Sequence, residues 1–249
     1  MSGHSKWSQI KRQKGATDAK RGQLFTKLGR EISVVARQGG ADPVSNFRLR
    51  LAVQRARDNN MPLDNIERAI KRGAGGGDSA ALEEITYEGY GPGGVAVMVE
   101  VMTDSRNRTA SDLRNVFTHA GGSLGESGCV AWQFKQLGVM SIEAKGADVD
   151  DLELAAIDAG AEDVKSEDGV VEIYTQPSEL ENVRRAMEQK GAQVSSAETS
   201  LIPETTISVD NKVAGQILRL IDRLEELDDV QRVYSNCDFP EEALEQYGG

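Results

Sequence analysis

Residues 138–199, GVMSIEAKGADVDDLELAAIDAGAEDVKSEDGVVEIYTQPSELENVRRAMEQKGAQVSSAET, decide the fold class. The run at 138–144 reads as a strand and the stretch at 149–159 as a helix. Strands at 161–166 and 169–175 follow, then a helix at 177–190 and a strand at 192–199. The order β-α-β-β-α-β is the ferredoxin-like one.

Working outward, residues 84–90 and 94–102 (GVAVMVEVM) read as strands joined by the turn Gly91-Pro92-Gly93. A helix from about Arg108 to His119 and a strand at 128–136 come next. On the far side lie a strand near 205–209, a helix at 211–227 and a strand at 229–235. These complete a second β-α-β-β-α-β set. The pattern predicts a discontinuous ferredoxin-like domain, 81–137 plus 204–249, carrying an inserted ferredoxin-like domain, 138–203. The tail from Glu241 to Gly249 reads as frayed.

Residues 17–73 read as three helices. From Thr17 or Asp18 as N-cap, Leu24, Leu28, Ile32 and Val35 recur at spacings of four, four and three, and Gly39-Gly40 ends the helix. A second helix, from about Val44 to Asp58, would turn Phe47, Leu51 and Ala52 inward. Its bases Arg48, Arg50, Arg55 and Arg57 would lie outside. A third starts near Pro62, buries Ile66, Ala69 and Ile70, and stops at Gly73. Residues 1–16 lack periodicity and read as an arm, and Gly73-Ala-Gly-Gly-Gly-Asp-Ser reads as a linker. The expected class is α+β: an N-terminal three-helix domain over residues 1–80, followed by two ferredoxin-like α/β domains, one inserted in the other.

Charge divides at the same place. The chain carries a net −11, but residues 1–80 hold sixteen Lys and Arg against seven Asp and Glu, a balance of +9. The remainder stands at −20. In residues 1–30 eight bases face a single acid, Asp18. A phosphate backbone rewards such a segment by counterion release, whatever the base sequence. The acidic part would repel a polyanion and confine contact to one end.

Composition narrows the rest. Hydrophobic residues at 39% suffice for a core, and aromatics at 5% make it aliphatic. No apolar run approaches the ~18 residues of a membrane span. The polar, basic start MSGHSKWSQIKRQKG argues against a secretory signal, so a cytoplasmic location is expected. Cys129 and Cys237 lie far apart without CxxC spacing, which argues against zinc and against a disulfide. Two histidines, His4 and His119, give neither metal-ligand spacing nor a hydrolytic triad. No carboxylate pair stands out for acid–base work, so no enzyme and no cofactor are expected.

Gly89-Tyr-Gly-Pro-Gly-Gly looks like a phosphate loop, but a strand follows it and Pro92 lacks an amide donor, so a hairpin turn is the better reading. Gly121-Gly122-Ser-Leu-Gly125-Glu-Ser-Gly128 follows a helix, where its glycines would end that helix and admit another backbone. Whether it contacts a ligand stays open. Two places invite a functional assignment. In the arm, Trp7 sits among Lys6, Lys11, Arg12 and Lys14, where an indole can stack on a base or pack back on the helices. At the strand-to-helix junction Thr103-Asp-Ser-Arg106-Asn107-Arg108-Thr109, Arg106 and Arg108 flank a helix start that favours an anion or an ordinary cap. The candidate nucleic-acid contacts are therefore Lys6, Trp7, Lys11, Arg12, Lys14, Lys20, Arg21, Lys27, Arg48, Arg55, Arg106 and Arg108.

Met1-Ser-Gly-His-Ser-Lys-Trp-Ser-Gln-Ile-Lys and Asp18-Ala-Lys-Arg-Gly-Gln-Leu-Phe-Thr-Lys-Leu resemble the opening of the YebC/PmpR family. Asn60-Met-Pro-Leu-Asp-Asn-Ile-Glu-Arg-Ala-Ile-Lys-Arg-Gly, Tyr87-Glu-Gly-Tyr-Gly-Pro-Gly-Gly-Val-Ala-Val, Asn107-Arg-Thr, Ala161-Glu-Asp-Val and Asp238-Phe-Pro-Glu-Glu extend the resemblance over essentially the whole chain. Leu63 stands where the family usually has Lys, Ser105 where Asn is common, and Cys129 and Cys237 where small residues are typical. The resemblance implies three domains and a cytoplasmic regulator of gene expression without catalytic residues or cofactor. Members are described as DNA-binding transcriptional regulators, and close relatives as translation factors that bind the ribosome.

Three readings compete. A DNA-binding transcriptional regulator would set arm bases and Arg48, Arg50, Arg55 and Arg57 on phosphates, although no helix-turn-helix register is evident. A ribosome-associated factor would use the arm on ribosomal or transfer RNA. A nuclease would need a carboxylate cluster for a metal near the basic face. DNA is the leading partner. Changing Lys11, Arg12 and Lys14 together to Glu is expected to abolish nucleic-acid binding while the circular-dichroism spectrum stays unchanged. Unchanged affinity would reject the arm as the binding element.

Overall fold

The computed structural model describes residues 18–75, 82–144, 149–167 and 169–248. The chain is α+β and divides into two compact units, Met1–Gln133 with Pro203–Gly249, and Phe134–Ile202.

In the first unit, α1 (Asp18–Gly39), α2 (Phe47–Asp58) and α3 (Leu63–Gly73) form the helical part. The spacing-predicted face of α1 is in its core: Leu28, Ile32 and Val35 pack with Ile66 and Ala69 of α3. The face of α2 is rotated from the expected one. Leu49, Ala52, Val53 and Ala56 are buried, while Phe47 and Leu51 are half-buried. Phe47 lies under the Arg50 guanidinium, 5.6 Å from ring centroid to carbon, which fixes it at the rim. Asn46 accepts from the Leu49 amide and donates to the Val35 and Gly40 carbonyls, so one cap also ties α2 to the end of α1.

Helices α1 and α3 run parallel, because Gly29 neighbours Met61, Ser33 donates to the Ala69 carbonyl, and Gly73 neighbours Ala36. Gly73 was expected to open a linker. It is buried as the last residue of α3, where a Cβ would lie 2.3 Å from the Ser33 carbonyl oxygen. The last residues of the expected linker, 76–79, lie outside the described residues.

The sheet of this unit contains β1 (Glu83–Tyr90), β2 (Ala96–Thr103), β3 (Ser123–Leu124) and β9 (Val230–Ser235), in the order β3-β1-β2-β9. A one-turn 3₁₀ segment, Pro92–Gly94, closes the β1–β2 hairpin, in agreement with the turn reading. Strand β2 pairs antiparallel to both neighbours. Val95, Val97, Val99 and Val101 meet α4 (Arg106–His119) and α7 (Asn211–Glu225) through Leu113, Phe117, Ile217 and Ile221. The other face of β2 is buried too, leaving only Glu100 half-buried. Burial on both faces explains an almost continuous apolar run where a half-exposed strand would alternate.

Two strand assignments are corrected. Residues 128–133 are turn and 3₁₀ backbone, and the edge strand is the two-residue β3 instead. Its location is set by Gly122, where any Cβ would lie 2.3 Å from the Tyr90 carbonyl oxygen, as the expected close backbone approach requires. Residues 205–209 do not join the main sheet. β8 (Ile207–Ser208) pairs in parallel with β10 (Cys237–Asp238) as a separate two-stranded ladder. The set is thus completed by β1, which precedes β2 in the chain. Nor is the tail frayed throughout: α8 (Glu241–Gly248) buries Ala243 and Leu244 against α7 and its neighbours.

The second unit follows the quoted stretch closely. Strand β4 (Phe134–Glu143), α5 (Val149–Asp158), β5 (Asp163–Glu167), β6 (Val170–Thr175), α6 (Leu180–Gln189) and β7 (Val194–Pro203) give the β-α-β-β-α-β order. The sheet order is β5-β6-β4-β7, the ferredoxin-like arrangement. Strand β4 begins at Phe134 because the pleat continues through Lys135 and Gln136, which the sequence reading gave to the preceding strand.

Replacing Gly73 by Val should force α1 and α3 apart. Overpacking of this kind costs about 1–3 kcal/mol, and the melting temperature should fall by roughly 5 °C. Calorimetry of the variant checks this, and an unchanged melting temperature would mean the helices do not meet as described.

Candidate nucleic-acid interface

Lys6, Trp7, Lys11, Arg12 and Lys14 lie outside the described residues. Lys20 falls in the first turn of α1, and Arg21 beside it is exposed. The remaining candidates, Lys27, Arg48, Arg55, Arg106 and Arg108, have partners within the chain.

These partners follow from how α1 is placed. Its core face meets α2 and α3, while Val34 on another side is 3% exposed because α1 also packs against β2 and β9. Lys27 and Arg30, which lie on that side, therefore find partners beyond the helical part. Lys27 donates to the Glu225 carbonyl at the C-terminal end of α7, an end that favours a cation. Arg30 donates to the Asp228 carbonyl and pairs with Asp229 at 2.8 Å. Arg55 of α2 pairs with Glu31, whose other oxygen pairs with Arg232 of β9. Arg232 lies across the strand pair from Glu100, 3.8 Å away. Arg48, more exposed, pairs with Glu84 of β1.

Asp229 is the centre of this seam. Its Oδ2 accepts from Thr103 at 3.1 Å, Thr109 at 2.7 Å and Arg108 at 2.8 Å, while Oδ1 accepts from Arg30. The junction at the start of α4 was expected to favour an anion. Asp229 supplies one, from 120 residues farther along the chain. Burial pushes its carboxyl pKa up, but the bonds from Arg108, Thr109, Thr103 and Arg30 outweigh that, and the net shift is downward. Arg106 points elsewhere, pairing with Glu83 at 2.5 Å. Glu100 shifts the other way: its burial dominates over Arg232 and Tyr234, and its pKa is raised.

Among the described residues, the exposed bases Arg21, Arg37, Arg57, Lys71 and Arg72 of the helical part make no ion pair with one another's neighbours or with the sheet. Arg37, Lys71 and Arg72 are grouped by the parallel course of α1 and α3, since all three stand in the last turns of helices that end side by side. An open cleft of about 440 Å³ lies there, lined by Ala36, Arg37, Gly40, Ala41, Gly73, Ala74 and Gly75. Lys71 and Arg72 are not among the sequence-predicted contacts, because the pattern of the helix that carries them is dominated by its core positions. A terminal Lys-Arg pair before a buried glycine was the available signal. Also missed were Asp229, Glu31 and Glu100, which have no local pattern. Among the described residues no group of three or more His, Cys, Asp or Glu is arranged to hold a metal.

Converting Asp229 to Ala should destabilise the protein by about 3–5 kcal/mol at pH 7, since it leaves buried hydroxyls and two arginines without their acceptor. A carboxyl with a lowered folded pKa contributes stability above its unfolded value, near 3.9, and loses it as pH falls through the folded one. The gap between wild type and Asp229→Asn in urea unfolding should therefore shrink below about pH 4. A gap that is the same at pH 3 and pH 7 would contradict this assignment.

Comparison with known proteins identifies the family. Residues 5–76 match the model of the TACO1/YebC protein N-terminal domain, and residues 82–237 that of the TACO1/YebC second and third domain. A protein of Dehalococcoides mccartyi named "Probable transcriptional regulatory protein" is 57% identical over 99% of this chain and 98% of its own length. One of the same name from Trichlorobacter lovleyi is 55% identical over 99% of both. The crystal structure of a conserved hypothetical protein, Aq1575, from Aquifex aeolicus aligns with a TM-score of 0.83 at 48% identity, covering 90% of this chain and 93% of that one. The models span most of the chain and the relatives nearly all of it: the chain belongs to the TACO1/YebC family.

Proposed function

We propose that this protein is a non-catalytic, cytoplasmic regulator of gene expression that binds nucleic acid through its helical part, with DNA as the target and transcription as the process. One observation carries the reading. Lys27, Arg30, Arg48 and Arg55 each have a partner within the chain, the Glu225 carbonyl, Asp229, Glu84 and Glu31 respectively, whereas Arg37, Arg57, Lys71 and Arg72 are left exposed. Bases that merely docked the helices would all have partners within the chain. Those left over are free to neutralise phosphates. Last-turn bases also complement helix dipoles, but that effect is worth only a few tenths of a kcal/mol at an exposed end. The names of the relatives support transcription as the process.

A second reading is a factor acting on ribosomal or transfer RNA, and one feature favours it. Helix α1 is covered on both sides, and the Arg48 and Arg55 side chains of α2 are paired, so neither is presented as a recognition helix for a major groove. Exposed bases on several elements suit contacts to a backbone of irregular shape. In-cell crosslinking with sequencing of recovered DNA and RNA separates the two. Reads concentrated at promoter segments support the first, and reads dominated by ribosomal or transfer RNA replace it with the second.

Changing Arg37, Arg57, Lys71 and Arg72 together to Ala should flatten the salt dependence of binding. With one phosphate contact per base, the slope of log affinity against log salt should fall in magnitude by about 3–4 on duplex DNA. Fluorescence anisotropy at several salt concentrations measures this. An unaltered slope would remove these bases from the interface.

A further inference from the structure

The segment Gly121–Gln133, which follows α4, has a built interior and a displayed surface. Its interior is organised by Glu88 of β1, which is 5% exposed. One carboxylate oxygen accepts from the Gly128 amide at 2.6 Å, and the other from Val130 at 2.8 Å and Ala131 at 2.7 Å. Burial alone would push this carboxyl up, but the three amides outweigh it and lower its pKa, which keeps the acceptor ionised. The Gly125 amide donates to the Glu88 carbonyl, and Val130 is fully buried as an anchor. Gln133 accepts from Asn236 at 2.8 Å at the end of the segment.

This scaffold holds up two aromatic side chains. The Cys129 carbonyl accepts from the Tyr90 hydroxyl at 3.0 Å and from the Trp132 indole nitrogen at 3.1 Å. Trp132 is nevertheless 71% exposed, and Tyr90 is 37% exposed. The indole is thus oriented by its polar edge while its rings remain in water. Folding does not require this, since an indole left in water forfeits the burial that makes Trp useful in a core. A rigid aromatic with its polar group already satisfied and its face uncovered is the preorganised form of a contact residue.

The chemistry of the segment selects the ligand class. With its only N–H donor used, Trp132 can offer a partner nothing but its π-face. The segment contains one charged residue, Glu126, and no Lys or Arg. It therefore has no grip on a phosphate and repels one weakly. The basic helices, in the same compact unit, supply attraction for a polyanion. A planar, uncharged ring attached to a polyanion fits both conditions.

We propose that Trp132, held on the Glu88-organised segment, is a stacking platform for an unpaired nucleobase. The proposal rests on the nucleic-acid reading above and deepens it: the preferred ligand contains single-stranded or looped nucleotides, and recognition at this point is tolerant of base identity.

The test uses the full chain with a fluorescein-labelled 12-nucleotide oligouridine and a 12-base-pair duplex as probes. Trp132→Ala should weaken binding of the single strand by about 5- to 100-fold, the range of one stacking contact, and leave the duplex within about twofold. Trp132→Phe should restore most of the loss. Because the side chain is exposed, the melting temperature should not move. In a Trp7→Phe background, where Trp132 is the remaining tryptophan, oligouridine should quench its emission. Single-strand affinity unchanged by Trp132→Ala, with wild type still binding in a salt-dependent way, would overturn the platform and leave the nucleic-acid reading standing. An equal loss on strand and duplex would also overturn it. Absence of binding by wild type to both probes, at low salt, would overturn the nucleic-acid reading and the platform with it. Quenching of Trp132 by an apolar peptide but not by oligouridine would assign the surface to a protein partner instead.

Discussion

The first unit depends on matching charge across the seam between helix α1 and the sheet. Lys27, Arg30, Glu31 and Val34 share a side of α1 that must leave water if the sheet's second face is to be covered. Removing cations from water costs several kcal/mol each unless acceptors meet them. Asp229 meets Arg30 and the end of α7 meets Lys27, while Glu31 is met by Arg232 of the sheet. Such a seam adds little net stability compared with an apolar one, but it admits one docking register.

This arrangement changes how the chain's charge asymmetry is understood. The +9 of the first 80 residues is partly internal currency, used against acids of the other 169. What remains for a partner is the exposed set on the last turns of α1, α2 and α3. The acidic remainder is likewise divided. Some carboxylates, such as Glu84 and Asp229, hold the helices in place, while Asp150 and Asp151 in the first turn of α5 are exposed on the inserted unit. A sum over sequence counts both kinds alike.

Much of the fold was legible because it is periodic. The core face of α1, the hairpin at Gly91–Gly93 and every element of residues 138–199 follow from spacing and turn residues that act locally. The departures have physical causes of another kind. Strand β3 is two residues long, too short for any alternation, and its pairing is permitted by a missing Cβ at Gly122. In α2 two apolar sets compete, Phe47 with Leu51 and Leu49 with Val53, and the capping bond of Asn46 selects the second. The site was less legible. Lys, Arg, Asp and Glu in the sequence indicate where charge is, but pairing over separations of 120 residues or more depends on the assembled sheet. The exposed indole of Trp132 is likewise invisible from a sequence in which Val-Ala-Trp reads as apolar.

One further consequence arises from the order of synthesis. The Glu204 amide donates to the Gln133 carbonyl at 2.8 Å, so the inserted unit leaves the first unit and returns to it at one point. On the ribosome the inserted unit has all of its strands once residue 203 has emerged. The first unit must wait for α7 and β9, which supply Ile217, Leu218, Ile221 and Asp229 near the end of the chain. Until then Arg30 and Arg108 have no Asp229, and the nascent chain exposes more positive charge than the finished protein. Domains generally fold as units in the order their residues appear. The inserted unit can therefore close on itself before the first unit, whose beginning must wait for the acid that pairs with Arg30.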